Sequence, residues 1–267
     1  MSFTLLSHDE LTGYAPSLIP RVIKHADRFW YVKHKPGSHD EDKRDLLTYL
    51  LGKDICNIAE VKLLTEIEHN DVKTILQLPS DSNNRNTFLV RLASTYTLDD
   101  LPNKDIEKAV ATELVYSVWI RRRDTHVDNR AYISGVPIFF DHQTAFLSEP
   151  HFAHSTIFFM HAPDHGHAPF WRVKQIPQTT VMTTEQARNV STLTDKAHHY
   201  VYDLNKFKQE IRLAETKVGE LATSNLDPLL TEAGFTNGEA EMIKDFLKKN
   251  LTSLRDDIEH MERIIFQ

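Results

Sequence analysis

RRRDTHVDNRAYISGVPIFFDHQTAF, residues Arg121 to Phe146, decides how the rest of the chain is read. Asn129 follows Asp124 by five residues in a short polar segment, and an apolar, hairpin-like run then ends on a second acid, Asp141. Phosphoryl transfer to a hydroxyl has a use for that spacing. One carboxylate orients the attacking hydroxyl, while an amide and a second carboxylate hold the Mg²⁺ that neutralises the phosphates. Asp124, Asn129 and Asp141 can fill those positions in that order. By itself such a loop is also an ordinary hydrogen-bonded turn, and it gains meaning only from what surrounds it.

Working outward, the residues before Asp124 form a helix pattern. Asn103 can cap it, Glu107 and Lys108 come early, and Ile106, Val110, Leu114 and Val118 recur at helical spacing. That helix delivers the Asp124 segment at its C-terminal end. After Asn129, Ala131–Ile133, a Ser134-Gly135 turn and Val136–Phe140 read as a β-hairpin, which folds Asp141 back towards Asn129.

Further upstream, Phe29–Lys33 is an aromatic and β-branched run that suits a sheet, and it closes on a lysine. A lysine at the end of a buried strand can reach the α- and β-phosphates of a nucleotide; Lys35, two residues on, faces the same way and is its rival. The small-residue loop Gly13–Ser17 ahead of this strand can lay backbone N–H groups over phosphates, or be a plain surface turn. A helix then follows, with an acidic start at residues 39–42 and Leu46, Leu47, Leu50 and Leu51 on its apolar side. A kinase-type fold places there the acid that pairs with its lysine; Asp45 is the candidate, with Glu41 and Asp42 as alternatives.

Three strand-like runs come next, Ile58–Ile67, Val72–Leu78 and Thr87–Leu92, with residues 80–85 as a loop. Residues 94–102 suit a connector between lobes and a hinge beside an adenine pocket. The expected architecture is α+β and two-lobed, with a sheet-rich nucleotide-binding lobe over residues 1–95 and a mainly helical catalytic lobe over 96–267.

Two motifs carry a resemblance. Trp119-x4-Asp124-x-His126-x-x-Asn129, followed by Ile138-Phe-Phe-Asp141-His142-x-x-Ala145-Phe146, resembles the catalytic and metal-binding loops of HipA-like and phosphatidylinositol 3-/4-kinase-like proteins of the protein-kinase-like superfamily. The resemblance covers roughly Gly13 to Phe146, and its firm matches lie in the last third of that span. It implies a two-lobed protein-kinase-like fold, with ATP and Mg²⁺ as cofactors. Asp124 is then the catalytic aspartate, Asn129 and Asp141 are metal ligands and Lys33 is the phosphate-anchoring lysine. His126 orients the catalytic loop or assists the transferred phosphoryl group. Two positions depart from the family pattern. Thr125 stands where arginine is usual, removing a cation beside the transferring phosphate, for which Arg121–Arg123 are close enough in sequence to substitute. Gln143 stands where glycine is usual. These changes suit a slow kinase or a nucleotide-binding pseudokinase.

Composition bounds the remaining possibilities. The chain has 267 residues, 26% charged and 40% hydrophobic, in the range of globular domains. A net charge of −7 argues against duplex nucleic acid as a partner. No apolar run approaches the ~20 residues of a membrane span, and residues 1–13 lack a secretory pattern, so a cytoplasmic location is expected. The single cysteine, Cys56, sits among apolar residues and reads as a small core residue.

Downstream, residues 149–171 carry His151, His154, His161, His165 and His167. His161, Asp164, His165 and His167 can ligate a transition metal, but a substrate-facing loop after the metal aspartate is the better reading of this Pro- and aromatic-rich segment. From Thr183 a helix pattern includes Val190, Leu193, Ala197 and Val201, and another runs through Phe207, Ile211, Leu213, Val218 and Leu221. Residues 225–238 form a break, and residues 239–266 are amphipathic, suited to packing or to a dimer or partner contact.

The function expected is ATP- and Mg²⁺-dependent phosphoryl transfer, with protein Ser or Thr as acceptor. A catalytically weak or inactive partner-binding protein, a phosphoinositide-type lipid kinase and transfer of AMP are the alternatives. Oligomeric state is left open by the sequence.

Overall fold

In the computed structural model, alternate residues of one strand set the layering of the N-terminal half. The structure describes residues 3–6, 21–26, 28–34, 41–82, 87–92, 106–122, 130–133, 136–139, 145–146, 172–175 and 198–265. Strand β3 (Arg28–His34) sends Trp30, Val32 and His34 to one face and Tyr31 and Lys33 to the other. It lies in a five-stranded antiparallel sheet with β1 (Thr4–Leu5), β2 (Val22–His25), β4 (Val61–Leu63) and β5 (Thr87–Leu92), ordered β1-β2-β3-β5-β4. On the Trp30 face, Ile23, Val32 and Leu89 pack with Val72 in a small core. On the opposite face, Val61 and Val90 belong to a larger core with helix α1 (Glu41–Gly52) and the C-terminal helices. The chain is thus a mixed α+β protein whose small antiparallel sheet lies between helices.

Val72 lies in helix α2 (Glu66–Leu76), which corrects the two strands expected over Ile58–Ile67 and Val72–Leu78. Only Val61–Leu63 of those runs is extended. The density of β-branched residues loses here to a local cap. Thr65 accepts from the Glu68 N–H while Glu68 accepts from the Thr65 N–H, so two donors that the first helical turn leaves open are satisfied together.

Helix α3 (Ile106–Trp119) is the centre of the larger core. Every residue but Lys108 is buried, because α4 (Leu204–Ala222), α6 (Asn237–Ile265) and strands packed beside them cover it. The leucines of α1 meet it as their spacing predicts: Leu46, Leu47, Leu50 and Leu51 are buried. Where α1 ends, it touches α3 closely. A Cβ on Gly52 would lie 2.8 Å from the Tyr116 ring, and that ring is fixed, since its hydroxyl donates to the Thr48 carbonyl at 2.6 Å. Gly52→Ala is expected to destabilise the protein by about 1–3 kcal/mol, read as a lower urea midpoint; an unchanged midpoint would mean that α1 and α3 are not in this contact.

The hairpin expected after Asn129 is present as β6 (Arg130–Ile133) and β7 (Val136–Phe139). Beyond it, β8 (Arg172–Gln175) pairs in parallel with β9 (His198–Val201). Val201 is therefore extended, not helical, and the helix that follows begins later because Asp203 caps it, accepting from the Asn205 and Lys206 N–H groups. Residues 183–197 of the expected helix lie outside the described residues. Along α4, Phe207, Ile211 and Val218 are buried, whereas Leu213 faces outward. The break at 225–238 contains a short helix, α5 (Asp227–Glu232), with Pro228 in its first turn. Gly234, at φ 82°, ends it in the left-handed conformation that glycine adopts most readily. Helix α6 follows, seated on α3 through Leu247, Leu254 and Ile258, with Met242 exposed. No helix among the described residues is long and apolar enough to cross a membrane.

Candidate active site

Lys33 and Asp45, twelve residues apart in sequence, form a buried ion pair. The Lys33 Nζ donates to Asp45 Oδ2 at 3.0 Å. Lys33 is 7% exposed and Asp45 1%. The strand places the ammonium on the α1 side of the sheet, and α1 presents Asp45 one turn ahead of Tyr49, so the pair lies between sheet and helix. Asp42 is also buried, one turn earlier. Lys35, Gly13 and Ser17 lie outside the described residues.

Asp124, His126, Asn129 and Asp141 lie outside them as well, as do Asn103, residues 94–102 and 151–167. The chain on either side of the motif residues is well anchored. In the β6–β7 hairpin, Arg130 pairs with Phe139; these residues directly follow Asn129 and precede Asp141 by two. β7 is held against the connector between α1 and β4, with the Ala59 N–H donating to Phe139 O and the Phe139 N–H to Asn57 O, both at 2.8 Å. Beyond Asp141, Ala145 is buried, and the Phe146 N–H returns to Ile120 O at 3.1 Å. The chain after Asp141 is thus tied to the end of α3, and the chain after Asn129 to β7.

That last turn is itself unusual. The Arg122 N–H donates to Ser117 O at 2.9 Å and the Arg121 N–H to Val118 O at 3.3 Å, the paired bonds of a Schellman ending. The left-handed position of this motif, ordinarily glycine, is held by Arg121 at φ 54°, at a cost of about 1–2 kcal/mol. Tertiary contacts offset it. The Arg121 guanidinium donates to Asp257 Oδ2 at 2.7 Å and to Ser253 Oγ at 3.0 Å on α6. The Trp119 indole N–H reaches Leu247 O at 3.1 Å, and the Asn250 amide reaches Trp119 O at 2.8 Å.

Arg122 turns the other way, into the core, where it pairs with Glu113. Glu113 is fully buried and Arg122 1% exposed. Ser117 Oγ donates to the same Glu113 oxygen at 3.0 Å. Burial raises the Glu113 carboxyl to about 6, although Arg122, Ser117 and Cys56 pull it back by favouring the charged form. Burial also pushes the Cys56 thiol well up, with the Glu113 carboxylate adding to it, so Cys56 is an inert core residue as its setting in the sequence predicts.

These pairs correct the expectation that Arg121 and Arg122 substitute for the cation missing at Thr125. Both guanidinium groups are committed to Asp257 and Glu113, and Arg123 lies outside the described residues. Glu113 was missed in the sequence, although a charge inside an otherwise apolar helix run is a pattern that asks for a buried partner. Nothing in sequence links Arg121 to Asp257. Among the described residues there is no group of three or more His, Cys, Asp or Glu side chains able to hold a metal ion. No protein-family model matches this chain, and no curated protein or solved structure matches it either, so its function rests on the chemistry of these residues.

Proposed function

We propose that the chain is an ATP- and Mg²⁺-dependent phosphotransferase of protein-kinase-like, two-lobed fold, with protein Ser or Thr as acceptor. The observation that carries this reading is the Lys33–Asp45 pair. Kinases require an ion pair between a strand lysine and an acid on the following helix to hold the nucleotide phosphates, and here the two residues join a sheet strand to the helix after it. A buried ion pair is a poor device for stability alone, since apolar side chains of similar volume do as well or better. A site that must accept phosphates gives it a reason.

In this reading Lys33 holds the α- and β-phosphates, and Asp45 fixes the direction of its ammonium. Asn129 and Asp141 hold Mg²⁺, which when bound neutralises phosphate charge. Asp124 orients the acceptor hydroxyl and takes its proton, and His126 supports that loop. The anchored hairpin and the tie from Phe146 to Ile120 limit how far the two motif segments can drift apart.

The commitment of Arg121 and Arg122 to internal pairs favours a second reading, a weak or inactive kinase-like protein that binds nucleotide and a partner. Incubation with γ-labelled ATP separates the two. Metal-dependent labelling that falls at least about a hundredfold in Asp124→Ala is expected of the enzyme. Metal-dependent ATP binding without labelling supports the second reading, and label arriving from α-labelled ATP instead would indicate AMP transfer. Absence of ATP binding overturns both kinase-like readings.

A further inference from the structure

The Glu113–Arg122 pair occupies the place where α3 ends and the chain turns towards Asp124. Arg122 is the second residue before Asp124, and its backbone N–H closes the Schellman ending on Ser117 O. Its guanidinium reaches back to a carboxylate nine residues earlier. Backbone and side chain of Arg122 are therefore fastened to the same two turns of α3, beside the strained Arg121. Apolar residues would fill this part of the core equally well; the ion pair differs in fastening Arg122 to one carboxylate of α3. Among the described residues, the groups facing Glu113 are Arg122 from the exit, Ser117 and Tyr116 from α3 itself, and Cys56 from the connector after α1. Only Arg122 among them carries a charge at neutral pH.

We infer that Glu113 is a positioning residue: as a carboxylate it holds Arg122, the second residue before Asp124, against the end of α3, and when neutral it lets that ending loosen. The catalytic consequence rests on the kinase-like reading above; the structural one does not. Because burial raises Glu113 to about 6, positioning is present above that pH and lost as pH falls through it. Overall stability moves the other way. A carboxyl whose folded value exceeds its unfolded value destabilises the fold when ionised, so its contribution to stability grows as pH falls from about 6 towards the unfolded carboxyl range. A merely structural pair would not separate local loosening from global stability in this manner.

Amide hydrogen exchange on the full chain tests it directly, at the Arg122 and Phe146 N–H groups whose hydrogen bonds bracket the two motif segments. In Glu113→Gln at pH 7, both are expected to lose about tenfold in protection, while sheet amides such as Val32 and Leu89 keep theirs. Arg122→Lys, which retains a charge for Glu113, should lie between. Should Glu113→Gln fail to fold, wild-type protection factors at the same two amides, compared at pH 7 and pH 5, give the answer. Unchanged protection overturns the proposal whatever the activity. In the labelling assay, kcat should fall about tenfold in Glu113→Gln with KM for ATP unchanged, and the acid limb near pH 6 should vanish. A KM change with kcat intact, or an acid limb that persists in the variant, counts against it. If the wild type transfers no phosphoryl group while Arg122 protection responds as described, the kinase reading fails and the positioning role stands.

Discussion

Lys33→Met is expected to abolish phosphoryl transfer and to destabilise the protein by about 3–5 kcal/mol, the range seen when one partner of a buried ion pair is removed. Methionine keeps most of the lysine stem's volume, so the effect is electrostatic. Asp45, 1% exposed, loses the ammonium that donates to it at 3.0 Å. Globular domains have only about 5–15 kcal/mol in total, so the urea midpoint should fall by about a fifth or more.

Loss of activity in a destabilised variant proves little by itself, and a second substitution separates the causes. In Lys33→Met/Asp45→Val neither charge remains, and an apolar pair of nearer volume is expected to restore stability to within about 1–2 kcal/mol of the wild type. Phosphoryl transfer should stay abolished, because in the proposed site the phosphates would then meet no cation from β3. Recovery of activity together with stability would reduce Lys33 to a structural residue and remove the main support for a nucleotide site. If the double variant is as unstable as Lys33→Met, the packing between sheet and α1 would be less adaptable than an apolar replacement requires.

The Lys33–Asp45 pair was legible because both halves are written locally: an aromatic strand ending in lysine, and a leucine-patterned helix with acids in its first turns. The β6–β7 hairpin was legible for the same reason, from the Ser134-Gly135 turn between two apolar runs. Helix α2 was misread because Val72, Thr74 and Ile75 suggest a strand, while the stronger signal, Thr65 three residues before Glu68, is a single capping box. The arginines after α3 were misread for a deeper reason. A run of three reads as a solvated cluster, and its partners are chosen in tertiary space: Asp257 lies 136 residues from Arg121. No local pattern announces such a pair. Asp124, Asn129 and Asp141 were picked out by spacing, which is written locally in the chain.

The second large effect is expected at Trp119, the last residue of α3. Trp119→Ala should cost about 3–5 kcal/mol, the range for emptying a fully buried aromatic site. The side chain is completely covered, lies tilted against Tyr116 with ring centroids 6.1 Å apart, and donates its indole N–H to Leu247 O on α6. Trp119→Phe keeps most of the volume and loses that hydrogen bond, so about 1–2 kcal/mol is expected. The site is well placed to transmit the damage. Ile120 O, one residue on, receives the Phe146 N–H, and the Phe146 ring meets Phe246 of α6 edge-on at 6.5 Å. A cavity at Trp119 therefore loosens α6, the exit of α3 and the return of the chain after Asp141 together, and phosphoryl transfer should fall in Trp119→Ala even at a temperature low enough to keep it folded. Urea denaturation monitored by circular dichroism gives the stability change. A loss below about 1 kcal/mol for Trp119→Ala would mean that α6 is not seated on the end of α3, and the anchoring of the chain after Asp141 at Ile120 would fall with it.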